Sequence, residues 1–302
     1  MSLSADQQNF AASAQEWDGA VEEPLTIHPL AGEHEAEALA FLAARPVHTV
    51  FMSGCIRDNG VVSELNRGTF YGCRNLEGRL EGVALIGHAT LVETRSDAAL
   101  AAFARFARGC PLAYMILGEQ EKVELFWNHF ARDEHKPHRV CREILFEQKF
   151  PLEGYEKVRG LCLATADDLP ALLPVYGAMI AEESGVNPLD VDPDGYRERW
   201  LRRIEQDRVW VWMEDGRLIF NADIISDTPE CIYLEGVYVS PEERGKGYGL
   251  RGLSQLGGIL LERTRSLCLF VNEQNHRAQA FYHRAGYARA GQYDTIFLGW
   301  KS

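Results

Sequence analysis

The 302-residue chain has little that would tie it to a membrane, to nucleic acid or to an oxidising compartment. Its apolar stretches, such as residues 83–92 and 98–107, carry His88 and Arg105 and fall short of the ~18 residues a membrane span needs. Residues 1–10 have neither a basic start nor an apolar run of signal-peptide length, which leaves the cytoplasm as the expected compartment. Positive charge is in deficit. With 31 Lys and Arg against 44 Asp and Glu the net charge is −13, which argues against broad attachment to nucleic acid or anionic lipid and favours cationic small molecules. The seven cysteines stand singly with no C-x-x-C spacing, so reduced thiols fit better than a disulfide framework. The nine histidines show no metal-ligand spacing, and His135-Lys136-Pro137-His138 lacks a third ligand nearby; no metal is expected. Asp190-Val191-Asp192-Pro193-Asp194-Gly195 copies the start of a calcium loop, but its twelfth position is Leu201, and Pro193 suits a helix start capped by Asp192.

What is present fits a soluble globular protein: 46% hydrophobic and 25% charged residues, and a length that leans toward two domains. Residues 1–22 are polar and aperiodic and read as a flexible leader. A strand over 25–28 and a helix over 33–44, ended by Pro46, are followed after an ambiguous stretch by strands over 69–73, 80–86 and 89–93. Then come a helix over 98–108 capped by Ser96 or Asp97, a strand over 112–117, a helix over 120–130 and a strand over 140–147. The second half repeats that order: a strand over 158–164, a helix opened by Thr165 and running to about residue 183, and a helix after Pro193. Strands over 209–213 and 218–225 join through Asp215-Gly216, a two-residue hairpin signal, and a third spans 231–239. A helix over 250–263, a strand over 267–271, a helix over 275–285 with Gly286 as its C-cap and a strand over 293–298 complete it. Glu77-Gly78-Arg79-Leu80 in the first half echoes Asp215-Gly216-Arg217-Leu218 in the second. The expectation is α+β: two tandem copies, residues 23–150 and 151–302, each a mixed, mostly antiparallel sheet flanked by helices.

The chemistry concentrates between the strand over 231–239 and the following helix, in Ser240-Pro241-Glu242-Glu243-Arg244-Gly245-Lys246-Gly247-Tyr248-Gly249. Glycine at alternate positions frees the backbone to turn successive N–H groups into one concavity at a helix's positive end, a cradle for pyrophosphate to which Arg244 and Lys246 add full charge. A Walker loop is excluded because Leu250-Arg251 follows the last glycine where lysine and a hydroxyl are needed. Gly247-x-Gly249-x-x-Gly252 matches a dinucleotide fingerprint literally, but residues 240–246 intervene after the strand and no acid stands about 20 positions on.

Val237-x-Val239-x-Pro241-x-x-Arg244-Gly245-x-Gly247-x-Gly249 resembles the acyl-CoA signature of the GNAT superfamily of N-acetyltransferases, and Asn275-x-x-Ala278-x-x-Phe281-Tyr282-x-x-x-Gly286-Tyr287 resembles its second motif. The resemblance covers roughly residues 158–300; the first half shares only the order of elements. It implies acetyl-CoA as donor, its pantetheine along Val237, Tyr238 and Val239 where two strands splay, and its pyrophosphate on Arg244, Gly245, Lys246, Gly247, Tyr248 and Gly249. Asn272 and Asn275 would bond the pantetheine or cap the adjoining helix. Tyr282 is implied as the acid that protonates the departing thiolate; a packed helical aromatic is its alternative.

An amine with a pKa of ~10.4 is almost wholly protonated at pH 7, so attack needs a proton acceptor. Strand alternation sets Tyr233, Glu235 and Val237 on one face, and Glu235 is the sole carboxylate inside that strand; it is the expected base or amine anchor. Tyr233-Leu234-Glu235-Gly236-x-Tyr238-Val239 is similar to aminoglycoside-type members. The first half has Thr94-Arg95-Ser96-Asp97 in place of the glycines and Phe126-Trp127 in place of Phe281-Tyr282, so a degenerate copy is expected that walls the acceptor site. The expectation is thus an acyltransferase acting on a small-molecule primary amine, as a monomer or homodimer. A peptide amine as acceptor, a non-catalytic acyl-CoA sensor and a dinucleotide protein are the alternatives.

Overall fold

The structure, a computed structural model, describes residues 24–131 and 136–298; the expected leader over residues 1–22 lies outside them. The first half runs β1 (Thr26–Pro29), α1 (Glu35–Leu42), α2 (Pro46–Asn59), β2 (Gly68–Arg74), β3 (Leu80–Gly87), β4 (Ala89–Thr94), α3 (Asp97–Ala107), β5 (Met115–Glu119), α4 (Gln120–Phe130) and β6 (Arg139–Gln148). The second runs β7 (Leu161–Leu163), α5 (Leu169–Ser184), α6 (Pro188–Val191), α7 (Pro193–Glu205), β8 (Val209–Glu214), β9 (Arg217–Asp227), β10 (Ile232–Val239), α8 (Tyr248–Leu261), β11 (Leu267–Asn272), α9 (His276–Arg284) and β12 (Ala288–Phe297). The fold is α+β, a mostly antiparallel sheet flanked by helices, and the order of elements repeats. Local signals act as chemistry dictates. Asp215 and Gly216 both take positive φ in the β8–β9 turn, and the side chains of Ser96 and Asp192 cap α3 and α7.

The largest departure from the sequence reading is at Pro46; besides it, α6 is an added turn of helix, β12 begins at Ala288 and β5 runs Met115–Glu119. Pro46 opens α2 instead of closing α1, because proline at a first helical position forfeits only an N–H that has no acceptor there. The periodicity of α2 is weak for a physical reason. Val47, Val50, Met52, Ser53, Gly54 and Ile56 are all buried, so it has no single apolar stripe.

Its burial comes from its position between the halves. Among the described residues the strand order is β1-β2-β3-β4-β5-β12-β6-β11-β10-β9-β8-β7, one sheet of twelve strands in which only the β4–β5 and β10–β11 ladders are parallel. The last strands of the two halves are exchanged. β12 pairs with β5 of the first half, β6 pairs with β11 of the second, and β6 and β12 pair with each other at the centre. Each core is therefore completed by the other half: β6 contributes Ile144 and Phe146 to the cluster under α8, and β12 contributes Ile296 to the cluster under α3 and α4.

Helix α2 crosses the boundary as well. Its Asp58 accepts two hydrogen bonds from Arg208, at 2.7 and 2.5 Å, and its Val47 and Val50 pack with Tyr233 of β10. At Gly54 the helix backbone lies so near β9 that an added Cβ would stand 2.5 Å from Cβ of Ser226. Gly54→Leu is thus expected to lever α2 from the sheet and cost about 1–3 kcal/mol by overpacking. A urea midpoint equal to that of the parent would show that the approach is not required.

Candidate active site

The site begins with a defect in β10. Glu235 pairs with Asp223 of β9 and Tyr238 pairs with Asn221, so the pair Gly236 and Val237 opposes the single residue Ala222, a β-bulge. Gly236 takes φ +61, and a Cβ there would overlap Oδ2 of Asp223; only glycine fits. The extra residue resets the alternation, which corrects the expectation that Val237 shares a face with Glu235. Leu234, Val237 and Val239 face the core under α8, while Tyr233, Glu235 and Tyr238 face the opposite side, toward α2 and α5–α7. The same stretch leaves β11. The parallel ladder joins only Ile232 with Leu267 and Tyr233 with Cys268, after which the strands part. Ser240 N–H donates to Ile219 O, so by antiparallel alternation the N–H and C=O of Val239 point away from β9, toward that opening.

Beyond the opening lies the glycine-rich turn. Gly245 and Gly247 have φ +80 and +89, and an added Cβ at either would meet nothing within 4 Å. The first backbone bond of α8 is from Arg251 N–H to Gly247 O, so the N–H groups of Tyr248, Gly249 and Leu250 have no acceptor within the helix, and no side chain caps it. The concavity is open, with donors at a helix's positive end. A Cβ added at Gly249 would stand 2.8 Å from Val239 and 3.4 Å from the ring of Phe281, so the helix start lies close against the end of β10 and against α9. Arg244 Nε donates to Val239 O at 3.0 Å with its guanidinium 5.8 Å from the Tyr238 ring, and Lys246 pairs with Glu243 at 3.0 Å. The Tyr248 side chain turns instead to Trp212, at 5.0 Å between rings. A cavity of about 730 Å³ lined by Lys157, Trp212, Glu214, Tyr248 and Arg251 lies on the β8 side of α8, not over the opening.

On α9, Tyr282 packs against Phe281, Tyr287 and Phe146, the last brought by the exchanged β6. Burial pushes its phenol above the usual range, so it stays protonated at any physiological pH. Asn275 Oδ1 accepts from Ala278 N–H as the N-cap of α9, and Asn272 Oδ1 accepts from Gln274 N–H in the preceding turn, so the oxygens of both side chains serve local structure. Across the sheet, Glu235 is exposed and accepts a short hydrogen bond from the Tyr233 hydroxyl. The exposed carboxylate and the half-buried phenol thus lie on opposite faces, with the strand opening between them.

Residues 178–287 match the family model described as Acetyltransferase (GNAT) family. The second half carries a GNAT acetyltransferase domain. The matched family implies acetyl transfer with acetyl-CoA as donor. The chain is similar in fold to a GNAT-family acetyltransferase from Colwellia psychrerythraea, with TM-score 0.56 and 14% identity over 91% of this chain and 100% of that one. It is also similar to a GCN5-related N-acetyltransferase from Sphaerobacter thermophilus, with TM-score 0.59 and 14% identity over 90% and 94%. A tandem GNAT protein from the clavulanic acid biosynthesis pathway, solved without acetyl-CoA, gives TM-score 0.58 and 16% identity over 91% and 99%. Among curated proteins no sequence relative matches. Among the described residues, no helix is long and apolar enough to cross a membrane and no group of three or more His, Cys, Asp or Glu is placed to hold a metal ion.

The first half repeats the outline of the second, but its counterpart of the strand opening is filled. Its β4 and β5 also pair only at Ala89–Met115 and Thr90–Ile116. A charge cluster occupies the strand ends beyond: Arg45 bonds Glu119 at 2.7 Å and Glu93 at 3.2 Å, and Lys122 bonds Glu93 at 2.9 Å and Glu119 at 3.3 Å. Although burial opposes it, the Arg45 hydrogen bond and neighbouring charge hold Glu119 down at about 2. The N-terminus of α3 is closed too, by Ser96 Oγ accepting from Ala99 N–H, where α8 of the GNAT domain has bare donors.

Sequence reasoning missed the residues on β9 and α5 behind the bulge. Asp223 is buried, accepts a short hydrogen bond from the Tyr176 hydroxyl, and is the register partner of Glu235. Asn221 Nδ2 donates to Tyr176 Oη at 3.0 Å and to Gly236 O at 2.7 Å, and the Tyr176 ring stacks on Trp200 at 3.6 Å. A signal was present: Asn221 and Asp223 alternate with Phe220, Ala222 and Ile224, a polar row inside a strand buried on both faces.

Proposed function

We propose that the protein is an N-acetyltransferase that moves the acetyl group of acetyl-CoA to a primary amine of a small cationic molecule, with the second half catalytic and the first a non-catalytic wall. The observation that carries this reading is the open, uncapped turn over residues 244–249, set against a bulged strand that parts from its parallel neighbour. The chain's own groups fit the donor. The free N–H groups of Tyr248, Gly249 and Leu250 at the start of α8 suit a diphosphate, and the outward N–H of Val239 suits an acyl oxygen. When bound, acetyl-CoA supplies an acyl carbon activated by its thioester.

The acceptor would enter on the face of Glu235, where the exposed carboxylate of a chain with net charge −13 holds the ammonium and takes one proton from it. As the amine nitrogen bonds the acyl carbon, the C–S bond breaks, its electron pair leaves with sulfur, and the acylated nitrogen gives its second proton to solvent. Tyr282 provides the proton that sulfur gains, and solvent restores it. Helix α2 of the first half closes the far wall at Tyr233, and β6 packs Phe146 beneath Tyr282.

A thiol-release screen with acetyl-CoA against aminoglycosides, polyamines, amino acids and short peptides tests the reading. At least one small amine is expected to release thiol, and Tyr282→Phe is expected to lower kcat about 10²-fold while affinity for acetyl-CoA stays within twofold. Tight cofactor binding without turnover of any amine would instead favour a sensor.

A further inference from the structure

A chain of net charge −13 has basic surface as the exception, and one such surface stands at the seam between the halves. A cavity of about 590 Å³, on the scale of small-molecule pockets, is lined by the cations Arg45, Lys149, Arg265 and Arg289. Glu147 and Glu230 line it as well. Its walls come from the start of α2, the end of β6, the start of β12 and the loops that precede β10 and β11, so both halves contribute. It is not the donor site. Glu230, Arg265 and Ser266 stand before β10 and β11, whereas the strand opening follows the paired residues Tyr233 and Cys268.

Charge decides what the cavity can hold. Glu147 is paired by Lys149 at 3.1 Å and Glu230 is faced by Arg57 at 3.8 Å, so each carboxylate has its own cation. Arg45 is balanced by Glu93 and Glu119, and burial lowers the pKa of the His48 imidazole, which is neutral at pH 7. Two guanidinium groups remain. The recorded partner of Arg289 is the neutral Gln279 Oε1, at 2.8 Å, and Arg265 is exposed with no recorded hydrogen bond or ion pair among the described residues. A guanidinium offers a planar fork of N–H donors that matches phosphate oxygens two at a time. The start of α2 points the same way. Pro46 has no N–H, the first bonds of the helix run from His48 and Thr49 to Arg45 O at 3.1 Å, and no side chain caps it. The N–H of Val47, a residue that lines the cavity, therefore has no recorded acceptor at the helix's positive end.

We propose that this seam cavity is a second binding site, for a small molecule that carries a phosphate group, with Arg265 and Arg289 supplying the uncompensated charge that holds it. The proposal goes beyond the transferase reading and does not depend on it. An occupant would touch α2 of the first half and the loop before β11 of the second, the elements that meet where the halves trade strands.

The test is calorimetric titration of the full chain with inorganic pyrophosphate, the ionic strength held constant with sodium chloride. Pyrophosphate also suits the turn over residues 244–249, so the variants assign the heat. Arg265→Glu reverses a charge on an exposed side chain without a recorded partner; it is expected to leave the melting temperature within about 2 °C and to weaken binding about tenfold or more. Arg289→Ser is expected to weaken it in the same direction. Lys246→Glu, in the distant turn, is expected to keep the seam affinity within about twofold of the parent.

Affinity that is equal in the parent, Arg265→Glu and Arg289→Ser, or that disappears in Lys246→Glu, would place pyrophosphate in the turn and overturn the seam site. Heat no greater than that of added sodium chloride would overturn it too, and equal affinity for citrate would overturn the phosphate assignment. Thiol release judges the transferase reading separately: Arg265→Glu is expected to release thiol as the parent does, and a parent without any turnover that still binds pyrophosphate at the seam would lose the transferase reading and keep this one.

Discussion

Gly236→Val is expected to abolish measurable acetyl transfer, a loss of at least 10³-fold in kcat/KM, and to lower stability by about 2–4 kcal/mol. Three effects combine at this one position. A β-branched residue at φ +61 is strained by about 1–3 kcal/mol. Its Cβ would overlap Asp223 Oδ2 and press on Tyr176 Cε1, at 3.1 Å, so the buried hydroxyl–carboxyl pair must separate. Relief by flattening the bulge would restore plain alternation, turn Val237 and Val239 off the face shared with Leu234, and extend β10 along β11, closing the opening into which Val239 N–H points. The outcome is read by thiol release and urea unfolding on the same preparation. Activity within tenfold of the parent would mean that the bulge is not needed for the reaction.

Glu235→Gln should act on chemistry and spare the fold. The side chain is exposed and its recorded partner is the Tyr233 hydroxyl, which glutamine's carbonyl also satisfies, so the melting temperature is expected to shift by less than about 2 °C. Acetyl-CoA affinity is expected to stay within twofold because the turn over residues 244–249 lies on the other side of the strand. Turnover is expected to fall 10²–10⁴-fold, the range for losing a positioned base, with KM for a cationic acceptor rising as well. If KM rises and kcat holds, Glu235 is an anchor and not part of the proton path.

Much of the fold was legible because its signals are local. Asp215-Gly216 dictates a two-residue hairpin whatever surrounds it, Ser96 and Asp192 cap the helices they precede, and Gly286 ends α9 at φ +88. The glycine-rich turn belongs to the same class: positive φ at Gly245 and Gly247 is a property those residues carry with them. Helix α2 was illegible because its apolar residues answer to two surfaces at once, one in each half. Val237 was misplaced because alternation counts residues, and a bulge inserts one that no pattern announces.

The sequence by itself determined the repeat of elements, the phosphate-type turn and the residue types for acid–base work, since each follows from a few neighbouring side chains and the backbone they permit. The tertiary structure alone decided that the halves trade their last strands, that Arg45 and Lys122 fill the first opening, and that Asp223 stands beside Glu235. Those are pairings between residues far apart along the chain, fixed by strand register and by which core each strand can bury its apolar face in, and neither quantity exists until the chain has closed.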